Sequence, residues 1–448
     1  SEYVKKHWHE DAFFGYQYLN GTNPTLIRKC AAIPTNFPVT SEMVSPFLDK
    51  SLEVELEVSA GNIFLVDYKL LDGIKGNVIR SIQQYVSAPL CLLYKTADGD
   101  LVPIAIQLKQ KPGSENPIFL PSDSVDNWLL AKVLVRSADF NYYELVTHLL
   151  RTHLIAEVFC LATMRQLPSV HPLFKLLIPH TRYTLHINIL ARKLLINDGG
   201  LFDRAFNTGG QAKQLVMQRG FDSLTYSALC VPDNIKDRGV EDVPNYYYRD
   251  DARELWAIIN KFVVKLVSYY YKSDTDIKND SELQDWLKDI FQALLSHKSL
   301  GFPESFNSIE ELTKFLTMVI FTCSAQHNAV NAGQHEYTAC LPNASPTLHR
   351  PLPSSKTSHV DYRDWIANAQ SAVISRATTW VLSHPSHDPV LLGQYPEERF
   401  TEEIPKKLIK EFQSELQKCE GQMKKRNEKL SLPYTYLLPS TLENSVSI

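Results

Sequence analysis

The sequence predicts a mainly α-helical protein, built as a large helical bundle around a long, distorted central helix. Three observations support this prediction. Apolar residues recur at helical spacing for many turns between Trp128 and Leu195. Two histidines, His148 and His153, interrupt the most apolar part of that stretch. Strand-like patterns are confined to a small β-rich section, residues 51–122, near the N-terminal third.

The two histidines of the central stretch predict the distortion of its helix. A separation of five residues places His148 and His153 about 140° apart around an ideal α-helix, which is too far for both to bind one ion. A local π-type turn widens a helix, is frequent at functional sites and would bring both rings onto one side. We therefore predict a distorted helix that holds two imidazoles toward one point. Two unrelated histidines are the alternative that this pair alone leaves open.

The β-rich section contains four candidate segments. Residues 52–58, LEVELEV, alternate apolar and acidic side chains, which favours a strand and leaves a short helix as the alternative. Residues 63–71, IFLVDYKLL, are predicted as one strand. The segments PLCLLYK and LVPIAIQL flank the turn Ala97-Asp98-Gly99-Asp100 and predict a β-hairpin that ends near Leu108.

Further helices are predicted in the second half of the chain. One begins at Asp250 and Asp251, and another begins at Ser308, which has Glu311 at capping-box spacing. The second runs on to His327 and Asn331, one turn apart on the same face. The apolar C-terminal tail, LPYTYLLPSTLENSVSI, is predicted to pack inside, since a free tail is usually polar. A late amphipathic helix is predicted to bury a stripe formed by Leu408, Phe412, Leu416, Cys419 and Met423.

Composition bounds the class and the partners of the protein. The 448 residues are 44% hydrophobic and carry a formal net charge of −4, so we expect no nucleic-acid partner. The seven cysteines are scattered and lack CxxC spacing, which fits reduced thiols in a cytoplasmic protein. No uninterrupted apolar run approaches the ~20 residues that span a bilayer, and the charged start lacks a signal-peptide core.

Several motifs together resemble the animal lipoxygenases. HLLRTH at 148–153, HNAVN at 327–331 and the terminal NSVSI resemble the metal-binding signatures of that family. FFGYQYLNGTNP, GNIFLVDYKLLDGI, RQLPSVHPLFKLL and LPYTYL are also similar to it. Each motif is weak alone, but their order and number extend the resemblance over essentially all 448 residues. The chain resembles the epidermal branch of the family most.

The resemblance implies a non-haem iron site. It makes His148, His153 and His327 imidazole ligands, Asn331 a weak amide-oxygen ligand and the main-chain carboxylate of Ile448 the anionic ligand. Imidazoles with one carboxylate suit iron that cycles between ferrous and ferric. Gln334 is expected to hydrogen-bond toward this ligand set. We expect three further histidines on neighbouring apolar helices to be core or supporting groups: His171, His180 and His186.

The resemblance also implies a substrate and its pocket. The family removes a hydrogen atom from a bis-allylic carbon of a polyunsaturated fatty acid, of the arachidonate or linoleate type, and adds O₂ to give a hydroperoxide. By family position Leu149, Ile187 and Leu195 line the pocket beside the iron. Ala191 falls where the family steers oxygen with Ala or Gly. The depth of the pocket is assigned to Phe140, Ala205 and Phe206.

Two alternatives remain beside dioxygenation. Some epidermal relatives mainly isomerise fatty-acid hydroperoxides to epoxyalcohols with the same iron, and a catalytically silent lipid-binding relative is the third interpretation. The whole chain, residues 1–448, is interpreted as the catalytic domain. Nothing in these residues matches the N-terminal β-sandwich that usually carries the family's membrane contact, so peripheral membrane contact is expected from exposed apolar loops.

Overall fold

The predicted helical class is confirmed by the computed structural model, which describes residues 2–49, 53–294, 301–357 and 360–448. In the first half of the chain the α-helices are Glu2–His7, Asp11–Asn20, Ser41–Val44, Val54–Ser59, Val125–Tyr142, Ile155–Gln166, Pro172–Leu177, Thr184–Ala191, Leu201–Ala205 and Gln211–Asp222. In the second half they are Tyr226–Leu229, Val231–Arg238, Tyr247–Tyr270, Asp274–Asn279, Ser281–Leu294, Ile309–Phe321, His327–Asn331, Gln334–Thr338, Ala369–Leu382 and Glu403–Asn427. Segments of π-helix are Tyr143–Leu154, Arg192–Ile196 and Thr322–Gln326.

The central helix is continuous from Val125 to Gln166, with the π-helical segment in its middle. Ser124 caps its start, because the Ser124 side chain accepts a hydrogen bond from the backbone N–H of Asn127. By length and composition this helix is apolar enough to cross a bilayer, but 72% of its most apolar stretch is buried inside the molecule. Its apolarity is therefore that of a core helix wrapped by protein.

The β-rich section forms four strands of a five-stranded antiparallel sheet and a small separate hairpin, while the edge strand Arg28–Lys29 comes from before the predicted section. The predicted hairpin is confirmed, since Leu90 pairs with Gln107 and Lys95 with Leu101, with a bulge between Leu92 and Leu93. The order in the sheet is β1-β2-β5-β6-β7, and β3 pairs with β4 apart from it. The strands are β1 Arg28–Lys29, β2 Ile63–Asp67, β3 Val78–Ile79, β4 Ile82–Gln83, β5 Leu90–Lys95, β6 Leu101–Gln107 and β7 Ile118–Phe119.

Two predictions in this section were wrong in part. Residues 54–59 form a helix rather than a strand, and the first residue of the predicted segment, Leu52, lies outside the described residues. The alternation is misleading because the acidic Glu57 is buried, where it accepts a hydrogen bond from Asn62 Nδ2 at 2.7 Å. The strand at residue 63 ends at Asp67, because the Asp67 carboxylate accepts the backbone N–H of Lys69 and turns the chain.

The sheet is buried on both faces. Phe64, Leu93 and Ile106 contribute to the main core around the central helix, whereas Leu92 and Ile104 contribute to a smaller core on the other face. Because side chains alternate along a strand, this division places successive residues in different cores. The sheet therefore anchors the N-terminal third against the central helix.

The late amphipathic helix, Glu403–Asn427, lies against the helix Tyr247–Tyr270. All five residues of its predicted stripe are buried, and Phe412 stacks on Phe262 with ring centroids 4.6 Å apart. The partner helix begins three residues before the predicted Asp250. This pair of helices forms one wall of the main core.

The stacked pair gives a stability prediction. Phe412→Ala removes a buried ring and leaves a cavity, so we expect the free energy of unfolding to fall by about 3–5 kcal/mol. Ile404→Ala is the control, because Ile404 lies on the same helix but is 51% exposed and should cost less than about 0.5 kcal/mol. Urea unfolding of both variants measures the difference. Equal destabilisation would contradict the assigned packing.

Candidate metal centre

The central helix brings His148 and His153 together through its π-helical segment. The hydrogen bonds of a π-helix join residues five apart, so these two side chains lie over one another instead of diverging. Both imidazoles are buried, and their Nε2 atoms are 3.2 Å apart. The predicted distortion of the helix is therefore present, and it directs both rings to one point.

A second helix supplies the third imidazole. It begins after Ser308, whose hydroxyl accepts the backbone N–H of Glu311 at 3.1 Å, and it passes through a π-helical segment before His327. The Nε2 atom of His327 lies 3.2 Å from that of His153. Each of the three histidines offers a nitrogen within 4.8 Å of the other two. Three imidazoles from two helices thus share one buried point.

The three rings are neutral in the folded protein. Burial lowers the pKa of His148 to about 4 and, with the neighbouring His148, that of His153 to about 3. Burial and the adjacent rings lower the pKa of His327 well below its usual value. Neutral imidazoles offer lone pairs to a metal. Nitrogens about 2.1 Å from one ion and at right angles are ~3.0 Å apart, so the observed spacing fits such a site.

The tautomer of His153 is fixed by Asn188. The amide nitrogen of Asn188 donates to the backbone oxygen of His153 at 2.9 Å and to Glu157 Oε2 at 2.7 Å. The amide oxygen therefore faces His153 Nδ1 at 3.0 Å, and Nδ1 must carry the proton. The lone pair of His153 Nε2 is left to point at the other two rings.

Glu144 lies beside His148 but provides no anion at neutral pH. Its Oε2 is 3.7 Å from His148 Nδ1, beyond hydrogen-bonding distance, and burial raises the pKa of the Glu144 carboxyl to about 8. The His148 ring instead stacks on Tyr143, with centroids 5.8 Å apart and planes at 9°.

Asn331 and Gln334 lie one after the other beyond His327. Asn331 is buried one turn after His327, and its amide nitrogen donates to Leu382 O at 3.0 Å. Its Oδ1 accepts a hydrogen bond from Gln334 Nε2 at 2.7 Å. Gln334 is thus in contact with Asn331, as the sequence prediction requires, and the roles of both residues at a metal stay predictions.

The C-terminal tail reaches the same centre. The main chain of Ile448 lies within hydrogen-bonding reach of the His327 ring. Hydrogen bonds hold the preceding residues in place: His180 Nδ1 donates to Asn444 O at 2.8 Å, and Ser445 Oγ donates to Arg182 O at 2.7 Å. The tail is buried, as predicted, with Leu442, Val446 and Leu437 fully enclosed.

An apolar cavity of about 480 Å³ opens beside the centre. His148, His153 and Ile448 form part of its wall. Of the predicted pocket residues, the structure brings four to this cavity: Leu149, Ile187, Ala191 and Leu195.

The three residues assigned to pocket depth lie behind the lining. Phe202 lines the cavity and packs on Phe206 with centroids 4.6 Å apart, and Phe206 stacks on Phe140 at 5.4 Å. Phe140, Ala205 and Phe206 are buried and are not among the lining residues. Phe202 therefore separates the cavity from Phe206 and Phe140 behind it. The role of Phe140, Ala205 and Phe206 in setting the depth of the pocket stays a prediction.

Sequence reasoning missed part of the lining. Leu190 and Leu194 continue the i, i+3, i+4 spacing of Ile187, Ala191 and Leu195, so the pattern contained a signal for them. Residues 381–388 carried no such signal, because they are the end of a helix and a loop brought in from far along the chain. They contribute five lining residues: Val381, Leu382, Ser386, His387 and Asp388.

A polar bridge joins the two sides of this cavity. The Arg182 guanidinium donates to the Asp388 carboxylate at 2.5 Å and to Asp388 O at 2.7 Å, and Tyr183 Oη donates to the same carboxylate at 3.0 Å. Tyr183 is in the left-handed backbone region, with φ of 64°. The bridge links the segment before the helix Thr184–Ala191 to the loop that ends at Asp388.

A second cavity of about 480 Å³ reaches the centre from the other side. His327, Asn331 and Ile448 line it together with many polar residues. Ile448 borders both cavities, so the end of the chain lies between an apolar space and a more polar one. The polar lining comprises Asn328, Glu336, Ser383, His384, Thr435, Ser440, Thr441, Glu443 and Ser447.

The other histidines have separate environments. His171 is buried and uses both ring nitrogens, because Nδ1 accepts from Leu173 N and Nε2 lies 3.1 Å from Asp280. Glu282 lies near this pair, but with both nitrogens engaged in hydrogen bonds His171 has no lone pair left for a metal. His180 is buried as predicted, whereas His186 is exposed and borders the apolar cavity.

Removal of one central imidazole should abolish metal binding. In His153→Ala we expect the amount of bound Fe²⁺ to fall from about one ion per chain to near zero. The Nε2 atom of His153 takes part in both 3.2 Å contacts between the histidine rings. Helical content should survive, since apolar burial holds these helices. His171→Ala, another buried histidine, should keep its iron. Metal analysis and circular dichroism measure both; full iron in His153→Ala would contradict the site.

His180 should make stability depend on pH. Burial lowers its pKa to about 4, below the ~6.5 of an unfolded histidine. The unfolded chain therefore takes up the proton first, so this contribution is complete above about pH 6.5 and lost as pH falls to about 4. His180→Gln keeps a donor for Asn444 O without titrating. Over this pH range the free energy of unfolding of the parent should fall by about 2–3 kcal/mol more than that of His180→Gln. If the unfolding free energies of the two proteins change equally with pH, the assignment is wrong.

Comparisons with known proteins identify the family of this chain. The profile of the family Lipoxygenase matches residues 2–435. The mouse polyunsaturated fatty acid lipoxygenase ALOX8 is 48% identical over 453 residues, covering 100% of this chain and 67% of that protein. The mouse hydroperoxide isomerase ALOXE3 is 47% identical over 451 residues, covering 100% of this chain and 63% of that protein.

Solved structures give the same result for the fold. A calcium-dependent 11R-lipoxygenase superposes with a TM-score of 0.97 at 37% identity, covering 100% of this chain and 67% of that one. A lipoxygenase variant crystallised anaerobically in complex with arachidonate superposes with a TM-score of 0.96 at 37% identity, covering 100% and 68%. This chain spans roughly two thirds of the length of these proteins. Because the family profile matches residues 2–435 and the similarity to these proteins extends over the whole of this chain, the chain belongs to the lipoxygenase family.

Proposed function

We propose that this chain is an iron-dependent lipoxygenase that oxygenates a polyunsaturated fatty acid of the arachidonate or linoleate type. The reaction removes a hydrogen atom from a bis-allylic carbon and adds O₂ to give a hydroperoxide. The observation that carries the proposal is the position of the histidine cluster. Three neutral imidazoles converge at one buried point, and two of them, His148 and His153, form part of the wall of an apolar cavity of about 480 Å³.

The donor set fits iron. Neutral imidazoles from His148, His153 and His327 and a carboxylate from Ile448 form a mixed nitrogen and oxygen set that suits a ferrous–ferric couple. Asn331 adds a weak amide oxygen, and Gln334 holds that oxygen by a hydrogen bond. Bound iron supplies the one-electron chemistry that the removal of the hydrogen atom requires.

The protein itself orients the substrate. Leu149, Ile187 and Leu195 give the cavity an apolar wall beside the imidazoles, and a long acyl chain excludes water as it fills this space. The methyl group of Ala191 occupies one part of that wall. Removal of the hydrogen atom leaves a pentadienyl radical on the substrate. The methyl group blocks one approach of O₂ to this radical and so selects the face that is oxygenated.

A second function is favoured by one comparison. The similarity to a protein named hydroperoxide isomerase extends over the full chain, and the same histidine cluster could serve an isomerase. In that reaction a fatty-acid hydroperoxide becomes an epoxyalcohol without uptake of O₂. A silent lipid-binding protein is the remaining alternative, and the complete set of three converging imidazoles argues against it.

One assay distinguishes the three functions. The purified protein is first loaded with Fe²⁺ under argon. It is then given arachidonate, linoleate or their hydroperoxides in the presence of O₂, and both O₂ uptake and the products are measured. Uptake with conjugated-diene formation supports the lipoxygenase. Loss of hydroperoxide without uptake supports the isomerase. Iron binding without either reaction would leave a lipid-binding protein and would overturn the proposed catalysis.

The proposed location is cytoplasmic, with peripheral contact to membranes that hold the substrate. Several large apolar side chains near the cavity are exposed, among them Ile189, Leu194 and Val381. Sedimentation with lipid vesicles tests this contact. Recovery of the protein in the soluble fraction at all lipid concentrations would contradict it.

Ala191 should control product chirality. Ala191→Gly opens the space that the methyl group occupies, so the product should shift toward the R configuration and toward a different oxygenated carbon. Chiral chromatography of the reduced products measures the shift. Leu190→Ala, which enlarges the same wall one residue away, is the control for cavity volume alone. If both variants keep the parent's chirality, Ala191 does not steer oxygen.

The last residue gives the sharpest test of the ligand set. Deletion of Ile448 moves the carboxylate back by one residue, or about 3.3–3.6 Å, whereas metal–ligand distances tolerate only ~0.2 Å. Iron content and diene formation should therefore be lost. Two appended glycines should be equally harmful, because a neutral carbonyl then replaces the carboxylate, while Ile448→Val should retain much of the activity. An extended protein as active as its parent would exclude a terminal-carboxylate ligand.

A further inference from the structure

The helix Thr184–Ala191 is attached to the protein in an unusual way. A helix at the surface normally packs by burying a stripe of apolar residues. Here the two buried residues are polar, Thr184 and Asn188, and they lie one turn apart. Its apolar residues Ile187, Leu190 and Ala191 line the cavity instead, and Ile189 is 60% exposed. Hydrogen bonds therefore take the place of apolar packing in holding this wall.

One of these two residues contacts a predicted metal ligand. Asn188 is almost fully buried and bridges His153 at two points, through the ring Nδ1 at 3.0 Å and the backbone oxygen at 2.9 Å. A hydrogen bond to both the ring and the backbone fixes the rotation of the imidazole relative to its own helix. Asn188 thus determines both the tautomer of His153 and the direction of its Nε2 lone pair.

The amide of Asn188 is itself held by charged groups. Its nitrogen donates to Glu157 Oε2 at 2.7 Å, and Arg192 donates to Glu157 Oε1 at 2.9 Å. Glu157 belongs to the central helix, and Arg192 directly follows the helix Thr184–Ala191, one turn after Asn188. The contacts therefore close a loop between the two helices, and this loop prevents the amide from flipping.

The other buried residue contacts the second predicted ligand segment. Thr184 Oγ1 donates to Val446 O at 3.2 Å, two residues before Ile448. The helix Thr184–Ala191 is therefore hydrogen-bonded to the C-terminal tail through Thr184 and to His153 through Asn188, one turn later. A shift of the cavity wall and a shift of the metal ligands cannot occur independently.

We propose that Asn188 is a positioning residue that holds His153 in its metal-binding orientation and couples the substrate wall to the metal centre. The inference rests on the proposed function for the nature of the metal and of the product. It extends that function by predicting that one substitution alters metal retention and product position together. A merely structural asparagine would affect stability alone.

Asn141 provides a matched control. Like Asn188, Asn141 is buried and makes three hydrogen bonds, but it lies on the central helix. Its partners are Ser137 O at 2.9 Å, Pro346 O at 3.2 Å and Thr208 Oγ1 at 2.6 Å. None of these contacts involves a predicted ligand. Asn141→Ala and Asn188→Ala should therefore cost similar stability, and any further effect of Asn188→Ala belongs to its contact with His153.

The test measures Fe²⁺ release to a chelator under argon, the melting temperature and the position and chirality of the product. Asn188→Ala should release iron about 10–100-fold faster than the parent and give mixed products, whereas Asn141→Ala should stay near the parent in both. Equal release from the two variants would overturn the proposal. A parent that holds no iron would instead overturn the proposed function.

An exchange of the two partners provides a rescue. In Asn188→Asp combined with Glu157→Gln, a carboxylate still faces His153 Nδ1 and an amide donates to it from position 157, but the hydrogen bond to the backbone oxygen of His153 is lost. Because the contact with the ring is kept, iron release should be slower than in Asn188→Ala and within about tenfold of the parent. Should Asn188→Ala fail to fold, this double variant decides the question. A native-like fold with release more than tenfold faster than the parent would overturn the proposal.

Discussion

The π-helical turn of the central helix is the constraint on which the site depends. Such a turn is rare because its hydrogen-bond geometry is poorer than that of an α-helix, so other contacts must stabilise it. Tyr143 Oη donates to Val330 O at 2.6 Å, which ties the turn to the helix that carries His327. Thr147 Oγ1 donates to Asn23 at 2.8 Å on another side. The hydrogen bond from Tyr143 thus links the π-helical segment to the helix that carries the third imidazole.

Burial then decides which groups carry charge. An isolated charge in an apolar interior is costly, so the three imidazoles are neutral and Glu144 is protonated at neutral pH. A metal cation in this place would therefore meet lone pairs but no side-chain anion from the neighbouring Glu144. The end of the chain reaches the same point, and Ile448 lies between the apolar and the polar cavity. In the proposed ligand set, the carboxylate of Ile448 would supply this charge without burial of a further acidic side chain.

Sequence patterns predicted those parts of the fold that depend on local periodicity. Helical spacing identified the central helix and the stripe around Phe412, and the Asp98-Gly99 turn identified the hairpin. Motif resemblance pointed to the histidines, because their spacing is meaningful only when the π-turn is assumed. Residues 54–59 were mistaken for a strand since the pattern does not reveal that Glu57 is buried with a partner. Asn188 and residues 381–388 were missed because their contacts join segments far apart in the chain.

The attachment of the cavity wall explains why these missed residues matter. The helix Thr184–Ala191 directs its apolar side chains at the cavity, so it has few left to bury against the protein. Polar contacts are directional, whereas apolar contacts permit sliding. A wall held by Thr184 and Asn188 is therefore fixed in position relative to the imidazoles, while the volume of the cavity remains free to vary with Leu190 or Leu194. In this arrangement the distance from the wall to the metal centre and the shape of the pocket are set by different residues of the same helix, and a change in pocket shape need not disturb the ligands.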